Sequence, residues 1–73
     1  MERVLTSGIV SRCVYVNVRK KPTLDSEVLF VLDVGTRVEI VSETSKFYKI
    51  MHNNSYGYIM KEYLYKLVEE KNE

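Results

Sequence analysis

The sequence predicts an all-β fold, a small barrel or sandwich built from short antiparallel strands. Apolar and polar residues alternate with a period of two in several short runs, which is typical of half-buried strands. Turn-forming residues separate these runs at short intervals, among them Pro22, Gly35 and the pair Asn53 and Asn54. Short strands at this spacing, with turn signals between them, favour a barrel or a sandwich.

Length and composition are those of one small globular domain. The chain has 73 residues, of which 45% are hydrophobic and 29% charged, and this length is close to the size at which one core barely suffices for stability. The formal net charge of +1 gives no general attraction to nucleic acid. No apolar run approaches the roughly 20 residues of a membrane span. Residues 1–8 lack the apolar core of a signal peptide, so we expect any export signal to belong to a longer parent protein.

The first half of the chain predicts two strands joined by a loop. Residues 8–19 form the first strand region, with Val14, Val16 and Val18 on one face and the residues between them on the other. Residues 20–26 form a loop around Pro22, which has no N–H to donate to a central ladder. Residues 27–32 form the second strand. Both of its faces are apolar, so the period of two does not show which face is buried.

The second half predicts three more strands and a different ending. Residues 33–36 form a turn in which Gly35 is free to adopt a positive φ. Residues 37–43, 47–52 and 56–60 form strands, and residues 53–55 form a tight hairpin turn, for which Asn is suited. Gly57 inside a strand marks a bulge or a close approach of another backbone. Residues 61–68 fit a helical turn followed by a short strand, and the expected core comprises Val16, Val18, Val28, Leu32, Val38, Ile40, Ile50, Ile59 and Leu64.

Six short motifs occur in a characteristic order along the chain. They are Val16-Asn17-Val18-Arg19 followed by Pro22, the run from Val28 to Leu32, Gly35-Thr36-Arg37-Val38, Phe47-Tyr48-Lys49-Ile50, Gly57-Tyr58-Ile59 and Tyr63-Leu64. This ordered set resembles the bacterial SH3 (Src homology 3) domain family over about residues 8–64. The sequence departs from the family pattern at Lys21, where glycine is usual, and at Phe47, where tryptophan is usual.

The resemblance implies an SH3-like β-barrel of five to seven short antiparallel strands. We therefore expect a domain over residues 8–68, preceded by an N-terminal segment of residues 1–7 and followed by a polar tail of residues 69–73. It also implies a non-catalytic module that binds cell-wall peptide or glycan and targets a larger exported protein to the wall. The alternative is a structural accessory domain that packs on a neighbouring catalytic domain of the same parent chain and shapes its cleft.

The candidates for ligand binding are three residues that alternate away from the valine face of the first strand region and four aromatic residues of the later strands. Aromatic side chains supply rigid contact surfaces, and tyrosine hydroxyls and asparagine amides can meet the backbone of a small wall peptide. Asn17 is also suited to bonding a neighbouring loop backbone, and Arg19 to bracing a loop. We expect a mostly uncharged groove lined by Tyr15, Asn17, Tyr48 and Tyr56 with Phe47 at its edge, and the full set of candidates is Tyr15, Asn17, Arg19, Phe47, Tyr48, Tyr56 and Tyr58.

The remaining polar residues do not form a recognisable catalytic or metal-binding motif. Cys13 fits a small, semi-apolar strand residue better than an activated thiol, since no His or second Cys lies near it in sequence. His52, beside a hairpin turn, is expected to be solvated. Lys20 and Lys21 are expected to be solvated loop residues. The more specific alternative is that they contact an anionic polymer. We therefore expect no enzyme activity, no cofactor, no metal, and no nucleic-acid or membrane partner.

Overall fold

The computed structural model describes residues 6–67, which form one antiparallel sheet of seven strands. A 3-10 helix, Lys61–Tyr63, lies between the last two strands. The strand order across the sheet is β3-β2-β6-β5-β4-β1-β7. The all-β prediction is confirmed, and the strands are β1 (Thr6–Val10), β2 (Tyr15–Arg19), β3 (Val28–Asp33), β4 (Arg37–Glu43), β5 (Phe47–His52), β6 (Ser55–Met60) and β7 (Leu64–Leu67).

The first strand region predicted from the sequence is two strands with different partners. β1 pairs with β4 and β7, whereas β2 pairs with β3 and β6. Cys13 and Val14 lie in the connection between β1 and β2, so neither is a strand residue, and Val14 is 79% exposed rather than part of the core face. β1 begins at Thr6, inside the segment that the sequence analysis placed before the domain. The expected polar tail lies outside the described residues.

The core contains eight of the nine residues expected from the sequence, and Val28 is the exception. The pairing of β2 with β3 shifts register between Val18 and Arg19, so that Phe30 lies opposite Val18 but Val28 lies opposite Arg19. Leu29 is therefore the extra residue of a β-bulge, and beyond the bulge Val28 shares the outward face of Arg19. Val28 is 41% exposed as a result.

A second bulge explains why two consecutive residues of β4 are both buried. The pairing of β4 with β5 shifts register between Ile40 and Ser42, which leaves Val41 as the extra residue. Ile40 and Val41 are both buried, although strict alternation would expose one of them. Val10 and Phe47 are buried as well.

The turns adopt the backbone conformations that their residues predict. Gly35 has φ = 93°, and Asn53 and Asn54 have φ = 51° and 66°. Two consecutive residues with positive φ in a two-residue loop are typical of a type I′ hairpin. The predicted ending is also confirmed within residues 61–67, where the 3-10 turn is followed directly by β7.

Gly57 brings the backbone of β6 close to β2. A Cβ atom built on Gly57 would lie 2.2 Å from Cγ1 of Val18 and 3.2 Å from the carbonyl oxygen of Arg19. The first distance is shorter than any non-bonded contact between carbon atoms, so a larger residue at position 57 fits only if the Val18 side chain or one of the two strands shifts. The close approach predicted from a glycine between two tyrosines is confirmed.

Truncation in the core should separate buried from exposed apolar residues. Ile40 and Ile50 are 1% and 0% exposed, so Ile40→Ala or Ile50→Ala should cost about 2–5 kcal/mol, a large part of the stability of a small domain. Val28→Ala is the matched control and should cost much less. Thermal melts followed by far-ultraviolet circular dichroism measure this, and equal losses at Ile50 and Val28 would contradict the core as described.

Substitution of Gly57 should destabilise the fold through its contact with Val18. We expect Gly57→Ala to cost more than 1 kcal/mol of unfolding free energy, and the cost to shrink in a Val18→Ala background, where the blocking Cγ1 atom is absent. A double-mutant cycle of urea denaturation measures the coupling. If the two substitutions reduced the free energy of unfolding by strictly additive amounts, the contact between position 57 and Val18 would not be what limits the packing.

Candidate functional site

A groove opens where β2 and β6 part. The two strands are paired at Arg19 and Tyr58. Continuing that register would pair Asn17 with Met60 and Tyr15 with Glu62, but β6 ends at Met60 and the 3-10 helix follows. Instead, all four residues line a groove of about 560 Å³, and its complete lining is Arg12, Cys13, Tyr15, Val16, Asn17, Arg19, Leu24, Phe47, Met60, Glu62 and Tyr63.

The β2 wall of the groove offers backbone hydrogen-bonding groups. The Val34 N–H donates to the Val14 carbonyl at 2.9 Å. Because bonded pairs alternate along an antiparallel ladder, this bond directs the backbone groups of Val16 and Val18 toward β3. The N–H and C=O groups of Tyr15 and Asn17 then point the other way, toward the groove. A strand edge of this kind can pair with an extended peptide.

The opposite wall is built on buried aromatic and apolar side chains. Phe47 pairs with Met60 across β5 and β6 and is 5% exposed, so it is embedded in the wall rather than standing at the groove's edge as the sequence suggested. Tyr63 is half-buried and packs against the core. Hydrogen bonding with the neighbouring Glu62 carboxylate, followed by the negative charge of Glu62, raises the pKa of Tyr63.

Arg19 braces the loop at one end of the groove. Its Nη1 donates to the Ser26 carbonyl at 3.0 Å, and the Ser26 hydroxyl accepts from the Lys21 N–H at 2.9 Å. The Lys20 N–H also donates to the Glu27 carbonyl at 2.9 Å. The bracing role considered from the sequence is confirmed, and it fixes the loop of residues 20–27 beside the groove.

The side chains of Asn17 and Tyr15 expose an amide and a hydroxyl group to the groove. Tyr15 is 58% exposed, and Asn17 is half-buried. The Asn17 side-chain amide makes no hydrogen bond within residues 6–67, so the loop-backbone bond expected from the sequence does not form there. Both side chains are therefore available to a ligand.

A comparison with models of protein families shows which family the chain belongs to. The model described as bacterial SH3 domain matches residues 14–65, which is more than half of the chain. The chain belongs to the bacterial SH3 domain family. Domains of this family are generally binding modules and are typically non-catalytic, and the all-β fold agrees with this membership. A comparison with the curated proteins finds no match.

Three of the tyrosines selected from the sequence lie outside the groove of this bacterial SH3 domain. Tyr58 lies beside Arg19 on the same face of the sheet, and Tyr56 lies two residues before it with Lys49 Nζ 5.1 Å from its ring centroid. Tyr48 lies on the opposite face, opposite the buried Ile59, and packs against the core. Ligand contact by these three side chains stays a prediction.

Lys61 contacts Tyr48 on the face of the sheet opposite the groove. Its Nζ lies 5.2 Å from the Tyr48 ring centroid and 2.9 Å from the Glu43 carboxylate. The bond to Lys61 and its positive charge lower the pKa of Glu43. Lys61 thus joins β4, β5 and the 3-10 helix on the side of the sheet that does not carry the groove.

Several residues that line the groove of this domain were not predicted from the sequence. Tyr63 belongs to the Tyr63-Leu64 motif, but its place in a groove wall depends on the turn that follows β6. Leu24 carries no periodic signal because it lies in a loop. The position of Arg12 follows from hydrogen bonds to distant segments, which no local pattern encodes. The other missed lining residues are Cys13, Val16, Met60 and Glu62.

The remaining candidates from the sequence have ordinary surroundings. The Cys13 thiol donates to the Ser11 carbonyl at 3.3 Å and is half-buried against the core. His52 is half-buried and lines a second, polar depression with Arg37, Asn53 and Asn54. Across residues 6–67, no three His, Cys, Asp or Glu side chains are grouped so as to hold a metal ion, and no helix is long and apolar enough to cross a membrane.

The raised pKa of Tyr63 should depend on Glu62. Glu62→Gln removes the negative charge that opposes phenolate formation, so the pKa of Tyr63 should fall toward its ordinary value of about 10. Glu39→Gln, at an exposed position of β4, is the control and should leave the titration unchanged. An NMR titration of the Tyr63 ring measures this, and an unshifted pKa in Glu62→Gln would assign the cause elsewhere.

Proposed function

We propose that this domain binds a short, extended peptide of the bacterial cell wall in the groove between β2 and the 3-10 helix. One observation carries the proposal: the same groove has free strand-edge backbone groups on one wall and aromatic side chains on the other. A peptide with small side chains, rich in glycine or alanine, offers mainly its amides. Those amides can pair with the backbone of Tyr15 and Asn17 while the rings of Tyr15 and Tyr63 cover them.

The proposed binding is weak for one domain and gains from tethering. A neutral hydrogen bond contributes about 0.5–1.5 kcal/mol, and the groove is short, so an isolated domain should bind in the millimolar range. A larger exported protein that carries the domain would gain effective concentration at the wall. We propose an extracellular or wall-associated setting on this ground, with wall peptide or glycan as the partner, and neither nucleic acid nor a membrane.

Chemical-shift mapping tests the groove. Addition of short glycine- or alanine-rich wall peptides at millimolar concentration should shift the amide resonances of Tyr15, Asn17 and Tyr63. Tyr15→Ala should weaken binding about two- to thirteenfold, because one aromatic contact of about 0.5–1.5 kcal/mol is lost. Tyr65→Ala is the matched control, since Tyr65 is a 63% exposed tyrosine on β7 and does not line the groove.

The outcome separates three interpretations. Shifts clustered at Tyr56 and Tyr58 would move the site along the same face of the sheet, toward the tyrosines favoured by the sequence. Shifts at the second depression around Arg37 would place it elsewhere. No shifts at millimolar peptide would contradict peptide binding.

A second candidate function rests on exposed apolar residues of the β2–β3 hairpin. Nine large hydrophobic residues are exposed in the described part of the chain, and seven of them lie between residues 14 and 34. β3 is also an edge strand. A concentrated apolar patch on one hairpin is typical of an interaction surface, which favours an accessory domain that packs this hairpin on a neighbouring catalytic domain and shapes its cleft.

Hydrogen exchange distinguishes the accessory function. In a longer protein that carries this domain beside a catalytic domain, the β3 amides should exchange more slowly than in the isolated domain. Val31→Lys, at a 49% exposed position, should remove that difference and leave the melting temperature of the isolated domain nearly unchanged. Equal exchange with and without the neighbour would rule out this packing.

A further inference from the structure

The backbone of Arg12 adopts a conformation that arginine rarely takes. Its φ is 64°, in the left-handed region that glycine and asparagine enter more easily. The surroundings enforce this conformation. The Ser11 N–H donates to the Tyr63 carbonyl at 3.0 Å on one side of Arg12, and the Val14 carbonyl accepts from the Val34 N–H at 2.9 Å on the other.

Backbone preference therefore does not explain an arginine at this position. A residue held in a sparsely populated region by fixed neighbours points to a role for its side chain. The Arg12 side chain is exposed and lines the groove. The hydrogen bond from Ser11 to Tyr63 places it at the same end of the groove as Glu62 and Tyr63.

The three charged groups of the groove differ in how they are satisfied. Arg19 is bonded to the Ser26 carbonyl, and Glu62 interacts with its neighbour Tyr63, whose pKa it raises. The Arg12 guanidinium makes no hydrogen bond and no ion pair within residues 6–67, even with Glu62 in the same lining. Its planar fork of N–H groups matches a carboxylate in a bidentate geometry.

We propose that Arg12 forms a carboxylate-binding subsite at one end of the groove, so that the domain prefers peptides that carry a free carboxylate. This inference rests on the proposed function, because it specifies the ligand of the same groove. It also corrects the expectation of a mostly uncharged groove, since two guanidinium groups and one carboxylate line it. The subsite is solvent-accessible, so the preference should be about tenfold at low salt, or about 1.4 kcal/mol, and should weaken as salt screens the charges.

Three peptides of matched length test the subsite. They are N-acetyl-tetra-alanine as the free acid, the same peptide as the C-terminal amide, and an amidated N-acetyl-Ala-Ala-Glu-Ala. Titration of the 73-residue chain, followed by amide chemical shifts, should give about tenfold tighter binding of the free acid than of its amide. The glutamate peptide shows whether the subsite takes a side-chain carboxylate as well as a terminal one.

Substitution of Arg12 separates the charge from the backbone. Arg12→Gly removes the guanidinium but tolerates φ = 64°, so the fold should survive, as a thermal melt checks. The free acid and the amide should then bind equally. Arg12→Lys keeps a point charge without the fork and should retain part of the preference. Arg37→Gln removes the same charge outside the groove, in the second depression, and should leave the tenfold preference intact.

The results distinguish a failed subsite from a failed groove. Equal affinity of the free acid and the amide for the unsubstituted chain would overturn the inference and leave peptide binding in the groove standing. A preference that survives Arg12→Gly would overturn it as well. If none of the three peptides shifts any groove resonance at millimolar concentration, the proposed function fails, and the subsite fails with it.

Discussion

The pairing of β2 with β6 is the constraint on which the rest of the structure depends. It links the β2–β3 hairpin to the other five strands through the residue pair Arg19 and Tyr58. The absence of a side chain at Gly57 lets the two backbones come together over Val18. On one side of this junction the strands close over the core. On the other side β2 and β6 separate, because β6 ends and the 3-10 helix begins. The groove is the space between β2 and this helix.

A groove made from an interrupted strand pair suits a very small domain. A chain of this length cannot hollow out its core without losing much of its stability. Here the core side chains stay packed on one face of the sheet. The groove is lined by backbone N–H and C=O groups of β2 that would otherwise form hydrogen bonds with β6. The opposite wall is formed by the buried Phe47 and by Tyr63, which packs against the core.

The placement of individual charged side chains around the groove matters more for ligand selection than the net charge of the chain. The net charge of the chain is only +1, which argues against attraction over long distances. Arg19 is fixed to a loop carbonyl, Lys61 is paired with Glu43 on the other side of the sheet, and Arg12 stands at the groove end. A weak ligand of defined shape is the kind of partner that such an arrangement can discriminate.

The sequence by itself determined the all-β class, the turns and most of the core, because these depend on local periodicity and on the φ preferences of Gly and Asn. It also carried the family resemblance and the close approach at Gly57. Tertiary structure decided what depends on register between strands: a bulge opposite Arg19 turned Val28 outward, and another buried Val41 beside Ile40. For the site, Tyr15, Asn17, Arg19 and Phe47 were found from alternation and motif. Arg12 and Glu62 were not, because the hydrogen bond between Ser11 and Tyr63, which are distant in sequence, brings them to the groove. The place of Tyr48 outside the groove was not predicted either, and it follows from the pairing of Tyr48 with the buried Ile59.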